Sequence, residues 1–534
     1  MTSTTPGVRS GGPHQLSRRR FLLGSASITG LAVATGSGLL APRVSAHGSL
    51  PTRTNPFTLG VASGDPDARS VVLWTRLAPD PLDPTALPPI PIPVTWEVFA
   101  DDGLRRRVRQ GVTLARPDEG HAVHVEVDRL DPDRWYWYRF RTLGFESPVG
   151  RTRTFPSTRR HTDRARFAVV SCQMYEHGYF TAYRHIAEDD LDFVVHTGDY
   201  IYEYGPNEYT VASGNVRQHD GPEVSDLTSY RNRHALYRLD PDLQAAHAAY
   251  PFIVTWDDHE VENNYAAGIP ERDQDPVAFE ARRANASQAY WEHMPLRRAA
   301  RPTGTAMALY RRLQYGDLAA ISMLDTRQYR SDQACGDGTQ TVPCGDWADP
   351  ARTLTGAEQE QWLFDGLASS TTAWNVLGQQ IFMAERDFLA GEGERLSMDA
   401  WDGYPAARDR LLGFAAEHQV PNLVVLTGDV HRHWAADLLA DFDDPASAVL
   451  GSELVCTSIT SGGDGADDGQ PNVLAENPHI KYCNSRRGYL RCDVDRGVWR
   501  SDFLTMPYVS QPGAPIAVDA SWVIEAGHPG LQPA

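Results

Sequence analysis

The chain has 534 residues, 41% of them hydrophobic, and a formal net charge of -19. Residues 1–46 carry five Arg and no Asp or Glu, so the remainder stands at -19 - 5 = -24. Such acidity argues against nucleic acid or an anionic membrane surface as a tightly held electrostatic partner, and it suits a protein whose carboxylates hold cations. The length exceeds one compact core, and two folded domains are expected.

The chain opens on Ser17-Arg18-Arg19-Arg20-Phe21-Leu22-Leu23, then an uncharged stretch to Pro42 rich in Gly, Ala, Ser and Thr, then Val44-Ser45-Ala46. A basic region, a weakly apolar region and a small-residue cleavage site in this order predict a secretory signal over 1–46, with a linker over 47–54. The paired arginines before Phe-Leu match the twin-arginine pattern, with Leu23 where Lys is common. The twin-arginine machinery is thus the expected partner, and a location outside the cytoplasm the expected destination. A retained membrane anchor is the competing reading, and the Gly-rich and Ser-rich composition opposes it. No other run of 18 apolar residues occurs, so no span is expected in the mature protein.

Residues 55–156 hold short alternating runs, among them Val71–Trp74, Val94–Val98, Val123–Val127 and Trp135–Phe140, between Pro, Asp and Gly turns. Period-two alternation without helical stretches predicts a small all-β sandwich. Leu130-Asp131-Pro132-Asp133-Arg134-Trp135-Tyr136 resembles the strand-entry turn of fibronectin type III-like domains. Past the Arg-rich linker the pattern changes, and 166–534 is expected to be the catalytic domain. Phe167–Val170, Phe193–His196, Phe252–Thr255, Trp374–Leu377 and Leu423–Leu426 are nearly continuous apolar runs. They alternate with helical candidates over 180–188, 277–293 and 356–368, an α/β pattern with strands buried on both faces.

Each of these strands ends in a polar cluster: Ser171-Cys172-Gln173, Thr197-Gly198-Asp199, Asp257-Asp258-His259-Glu260, Gly378-Gln379-Gln380 and Gly428-Asp429-Val430-His431. The carboxyl ends of strands in open α/β sheets are where ligands bind. Asp199 is suited to bridge two metals, because a carboxylate has lone pairs for both. A thiolate and a phenolate favour a highly charged, redox-capable ion, so Cys172, Asp199, Tyr202 and His431 together point to Fe³⁺. Taken singly, each has an ordinary reading: Asp199 a turn residue, Cys172 a buried hydrophobe, Tyr202 a packing ring, His259 the cap of a strand-loop junction. His433 competes with His431. Their coincidence at successive strand ends favours the site.

Gly198-Asp199-x-x-Tyr202, Asp258-His259-Glu260 and Gly428-Asp429-Val430-His431 resemble, in this order, the blocks of calcineurin-like metallophosphoesterases. With Ser171-Cys172, Asp257–Val261 and Asp325-Thr326-Arg327-Gln328-Tyr329-Arg330, the similarity narrows to PhoD-like alkaline phosphatases, a family that also includes secreted phospholipases D. The resemblance implies a layered β-sandwich flanked by helices and the hydrolysis of phosphate monoesters, diesters or both by metal-bound hydroxide. It implies phospholipid diesters as an alternative substrate. Asp258 stands where Asn is usual and Asp429 where His is usual, which suits Ca²⁺, or Mn²⁺ or Mg²⁺, better than Zn²⁺. Gln379 is a weaker candidate ligand. By motif position His259 would contact the phosphate or assist the leaving group. Arg327 is read either as an oxyanion clamp or as a salt bridge to Asp325. A non-catalytic Ca²⁺-dependent surface-binding protein is the alternative from another class, and it needs neither thiol nor phenol. Of the six cysteines, Cys335 and Cys344 make the best disulfide pair, and Cys483 with Cys492 the next, with Cys456 competing.

Overall fold

The computed structural model describes residues 54–534, so the signal reading at 1–46 lies outside the described residues. The segment Thr52–Ala534 forms one compact unit. Its frame is a ten-stranded and a seven-stranded sheet. In the first, Arg164–Val170, Phe193–His196 and Pro251–Val254 run parallel side by side. In the second, Ala319–Met323, Trp374–Gly378, Leu423–Thr427 and Val449–Val455 do the same.

The apolar runs are continuous because each strand is covered on both faces. Phe167, Val169, Phe193, Val195 and Ile253 share one buried cluster with Ile321, Met323, Val376, Val424, Leu426 and Leu454 of the other sheet. The intervening residues Ala168, Val170, Val194, Phe252 and Val254 point the opposite way, as period-two geometry requires. They pack under the helices Thr181–Glu188, Leu227–Arg238, Pro241–Ala249 and Pro276–His293. Leu377, Leu423 and Val425 pack likewise under Gly356–Ala368 and Pro405–Glu417. The layers are therefore helix, sheet, sheet, helix. The helices start where sequence logic places them: Asp240 and Asp275 accept from the first free N–H groups, and Pro241 and Pro276 follow directly.

The first segment differs from a free-standing sandwich. Val61–Gly64, Val71–Arg76 and Ala122–Val127 are strands of the ten-stranded sheet itself, Val61–Gly64 lying parallel to Pro251–Val254. Ile92–Phe99, Arg107–Ala115, Trp135–Thr142, Phe145–Glu146 and Gly150–Arg153 form a separate five-stranded sheet. Buried polar contacts join this segment to the rest. Trp74 Nε1 donates to the Glu292 carbonyl at 2.9 Å, and His124 Nε2 lies 2.9 Å from the Met294 carbonyl while its ring stacks on Trp291.

Cys335 and Cys344 are joined in a disulfide. Cys456, Cys483 and Cys492 are free, contrary to the second pairing expected from the sequence. Cys456 and Cys492 lie in the core between the sheets, whereas Cys483 belongs to the outer core of the seven-stranded sheet.

Candidate metal centre

The strand ends of both sheets meet at one edge. There Cys172, Asp199, Asp429 and His431 hold φ values of 56, 56, 61 and 53°. This left-handed region is costly for a residue with a side chain, and it persists only where the surroundings enforce it. The neighbouring glycines show the enforcement. A Cβ on Gly198, itself at φ 122°, would stand 2.5 Å from Asp257 Cβ, and one on Gly428 would stand 2.6 Å from Thr197 Oγ1. Glu260 completes the frame by accepting the N–H groups of Asp199 at 3.1 Å, Tyr200 at 2.6 Å and Asp257 at 2.8 Å.

Cys172, Asp199 and His431 offer donor atoms within 4.8 Å of one another, and so do Asp199, Asp258 and His259. Asp199 belongs to both groups. The Tyr202 hydroxyl lies 2.9 Å from Asp199 Oδ2 and 3.1 Å from His431 Nε2. Asp429 lines the same pocket with Asp199, Asp258, His259 and His431, outside both close groups.

The electrostatics favour cations. Asp199 Oδ1 and Asp258 Oδ1 are buried without a hydrogen-bond partner. Burial, more than the neighbouring carboxylates, pushes Asp199 and Asp429 well above the usual carboxyl range. Burial and the Asp199 charge raise the Cys172 thiol and the Tyr202 phenol in the same direction. Burial also drives His431 well below its ordinary value, which leaves a neutral imidazole. Multivalent cations reverse the penalty on the anionic groups, so the donor set fits metal ions.

His259 is held differently. Its Nδ1 lies 2.8 Å from Glu203 Oε2, and Glu203 Oε1 accepts from Asn263 N at 2.8 Å. Burial works against the charge on His259, but Glu203, Asp258 and Asp199 outweigh it and raise the pKa well above the ordinary value.

Two sequence expectations are corrected here. Arg327 is fully buried and has no edge free to clamp a substrate oxyanion, nor does its guanidinium pair with Asp325. Its fork meets Asp399 at 2.7 and 2.9 Å, Nε donates to Asp257, and Nη2 stands 3.7 Å from Asp258. Arg327 neutralises carboxylates behind the centre. The Gln379 side chain is also spent elsewhere: its amide donates to Ile381 O and to Thr427 Oγ1 at 2.7 Å, and its oxygen accepts from Trp401 Nε1 at 3.2 Å.

Sequence reasoning missed Glu203, Asp399 and Ser461. An acid directly after Tyr202 was the available signal for Glu203. Ser461 Oγ lies 2.7 Å from the Tyr202 hydroxyl and 2.8 Å from the Cys172 carbonyl, and no local pattern announces it.

The family profile described as PhoD-like phosphatase matches residues 167–503, and that described as PhoD-like phosphatase, N-terminal domain, matches residues 43–156. Alkaline phosphatase D of Bacillus subtilis strain 168 is 52% identical over 517 residues, covering 96% of this chain and 88% of that protein. A solved structure titled "Structure of PhoD" superposes with a TM-score of 0.89 at 53% identity, covering 92% of this chain and 93% of that one. Matches of this extent to both profiles and to full-length relatives, on a chain whose strand ends gather these donors, show that the chain belongs to the PhoD-like phosphatase family.

Proposed function

We propose that the chain is a metal-dependent phosphoesterase of alkaline-phosphatase type that hydrolyses phosphate monoesters, diesters or both. The observation that carries this reading is Asp199, which stands close to Cys172 and His431 on one side and to Asp258 on the other and retains a buried oxygen without a partner. Cys172, Asp199, Tyr202 and His431 would hold iron. Asp199, Asp258 and Asp429 would hold a hard divalent ion, Ca²⁺ by the carboxylate content, with Mn²⁺ or Mg²⁺ as substitutes. When bound, such ions supply positive charge for the phosphate oxygens and acidify water.

The chain's own groups do the remaining work. His259, kept charged by Glu203, holds a proton at the pocket wall, where the leaving oxygen of an ester can take it. Asp257, Asp399 and Arg327 fix Asp258 from behind. The cavity of about 350 Å³ also carries the rings of Tyr204 and Tyr209, which favours a phospholipid diester as the second reading. We further propose that Arg18-Arg19 sends the folded protein through the twin-arginine route, and that 55–156 and 166–534 are its accessory and catalytic parts.

The test is metal analysis of the purified protein together with turnover of a chromogenic monoester, a chromogenic diester and phosphatidylcholine. Iron with calcium and release of product from either chromogenic ester is the expected result. A metal-replete protein that turns over none of the three would sink the reading.

A further inference from the structure

The segment between Phe193–His196 and Leu227–Arg238 is tied down by one buried carboxylate. Glu176 accepts from Asn207 N, Asn215 Nδ2 and His219 N, each at 2.9 Å, and its carbonyl accepts from Val216 N at 2.9 Å. The ring of His177 reaches the Tyr209 carbonyl at 3.0 Å, and Asn215 Nδ2 donates to the same oxygen at 3.0 Å. Glu176 and His177 are buried and lie just downstream of Cys172. The strand end that offers the thiol therefore also fixes the backbone of Tyr209.

The Tyr209 ring is equally constrained. It packs edge-on against His177 at 4.5 Å between ring centres and against Tyr204 at 5.7 Å. It lines the pocket with Asp199, His259 and His431, yet its hydroxyl makes no hydrogen bond among the described residues. Burial raises the Tyr209 phenol; His259 and Arg487 pull against it, and Asp199 and Cys172 add to it. Arg487 is buried, and its guanidinium meets only neutral oxygens: the carbonyls of His431 and Gly463 and the hydroxyls of Ser458 and Thr457. Burial raises the Tyr204 phenol, and Glu203, Asp258 and Glu271 add to the rise.

We propose that Tyr209 contacts the substrate, its phenol donating a hydrogen bond to a non-bridging phosphoryl oxygen of the ester in this pocket. The proposal rests on the phosphoesterase reading. Tyr209→Phe removes only the donor. In the metal-loaded full chain it should lower kcat/KM for a chromogenic monoester by about 10- to 100-fold and weaken binding of inorganic phosphate by about tenfold. Metal content, visible spectrum and Tm should stay at wild-type values. Unchanged kcat/KM and phosphate affinity would overturn the proposal, and so would a loss that tracks loss of metal, because Tyr209 would then be structural. If the wild type turns over no ester, the functional reading fails by itself, and titration of the metal-loaded wild type and variant with inorganic phosphate still decides whether the phenol meets a phosphoryl oxygen.

Discussion

A carboxylate in the position of Asp199 is either protonated or matched by a cation, because burial excludes water and one of its oxygens has no hydrogen-bond partner. The same holds for the Cys172 thiol and the Tyr202 phenol, and this grounds the first prediction. If Tyr202 binds ferric iron as a phenolate, the purified protein is coloured. Tyr202→Phe should then bleach or strongly shift the visible band while the fold persists, and Cys172→Ser should cost iron and most of the turnover. A colourless, fully active, iron-free wild type would show that the wrong residues had been placed at the centre. The second prediction concerns Arg327. Truncation to Met strands Asp257 without its counter-charge, leaves Asp399 with Arg330 alone, and should destabilise the protein by about 3–5 kcal/mol in denaturant unfolding. A variant of unchanged stability would remove Arg327 from the support of the centre.

The donors were legible at this scale because each closes an apolar strand within a short motif. The role of Arg327 was not. Its partners Asp257 and Asp399 lie 70 and 72 residues away in the chain, and a fork aimed at a carboxylate reads the same in sequence as one aimed at a phosphate. Gln379 failed for a related reason. Its strand end was identified, but the turn of its side chain towards Thr427 and Trp401 is a matter of packing.

Among the elements, strands buried on both faces were the easiest to find. Phe193–His196 was placed to the residue, and the helix at Gly356–Ala368 likewise. The antiparallel C-terminal strands, such as Arg487–Asp495 and Val498–Met506, were not identified, although Arg and Asp alternate through them with the apolar residues and Arg496-Gly497 turns between them, capped by the Asp495 carboxylate. The strand Ala122–Val127 shows how an element is secured from outside itself. Burial holds the His124 pKa down to about 4, against an ordinary value of 6.5. A depressed histidine pKa means that the unfolded chain binds the extra proton, so the stability from the neutral ring is complete above about pH 6.5 and drains away as pH falls towards 4. The stability advantage of wild type over His124→Gln should shrink by about 3 kcal/mol between pH 7 and pH 4, measured by urea unfolding at each pH. A gap independent of pH would mean that the ring is not held neutral.

Over the whole molecule, the sequence separates an all-β segment from an α/β one but gives no sign that strands of the first segment join the sheet of the second. Period-two patterning reports which face of a strand is buried and says nothing about which strand lies beside it. The consequence is testable. Residues 166–534 expressed alone leave the Pro251–Val254 edge and the Trp74 and His124 docking sites uncovered, so this fragment should be insoluble or lack a cooperative thermal transition. A soluble, active fragment would restore the picture of two independent domains. For export, Arg18→Lys together with Arg19→Lys should leave active enzyme inside the cell, and continued secretion of the double variant would exclude the twin-arginine route.

The donors around Tyr202 are drawn from far along the chain, Cys172 and Ser461 being 289 residues apart. A nascent or partly folded chain therefore cannot assemble the pair of donor groups, since the two sheets must first meet. An ion held by Cys172, Asp199, Tyr202 and His431 would have to wait for the second sheet to close, whereas Asp199, Asp258 and His259 all follow strands of the first. The iron-to-protein ratio of a preparation would then report how many of its molecules closed both sheets, independently of any assay of turnover.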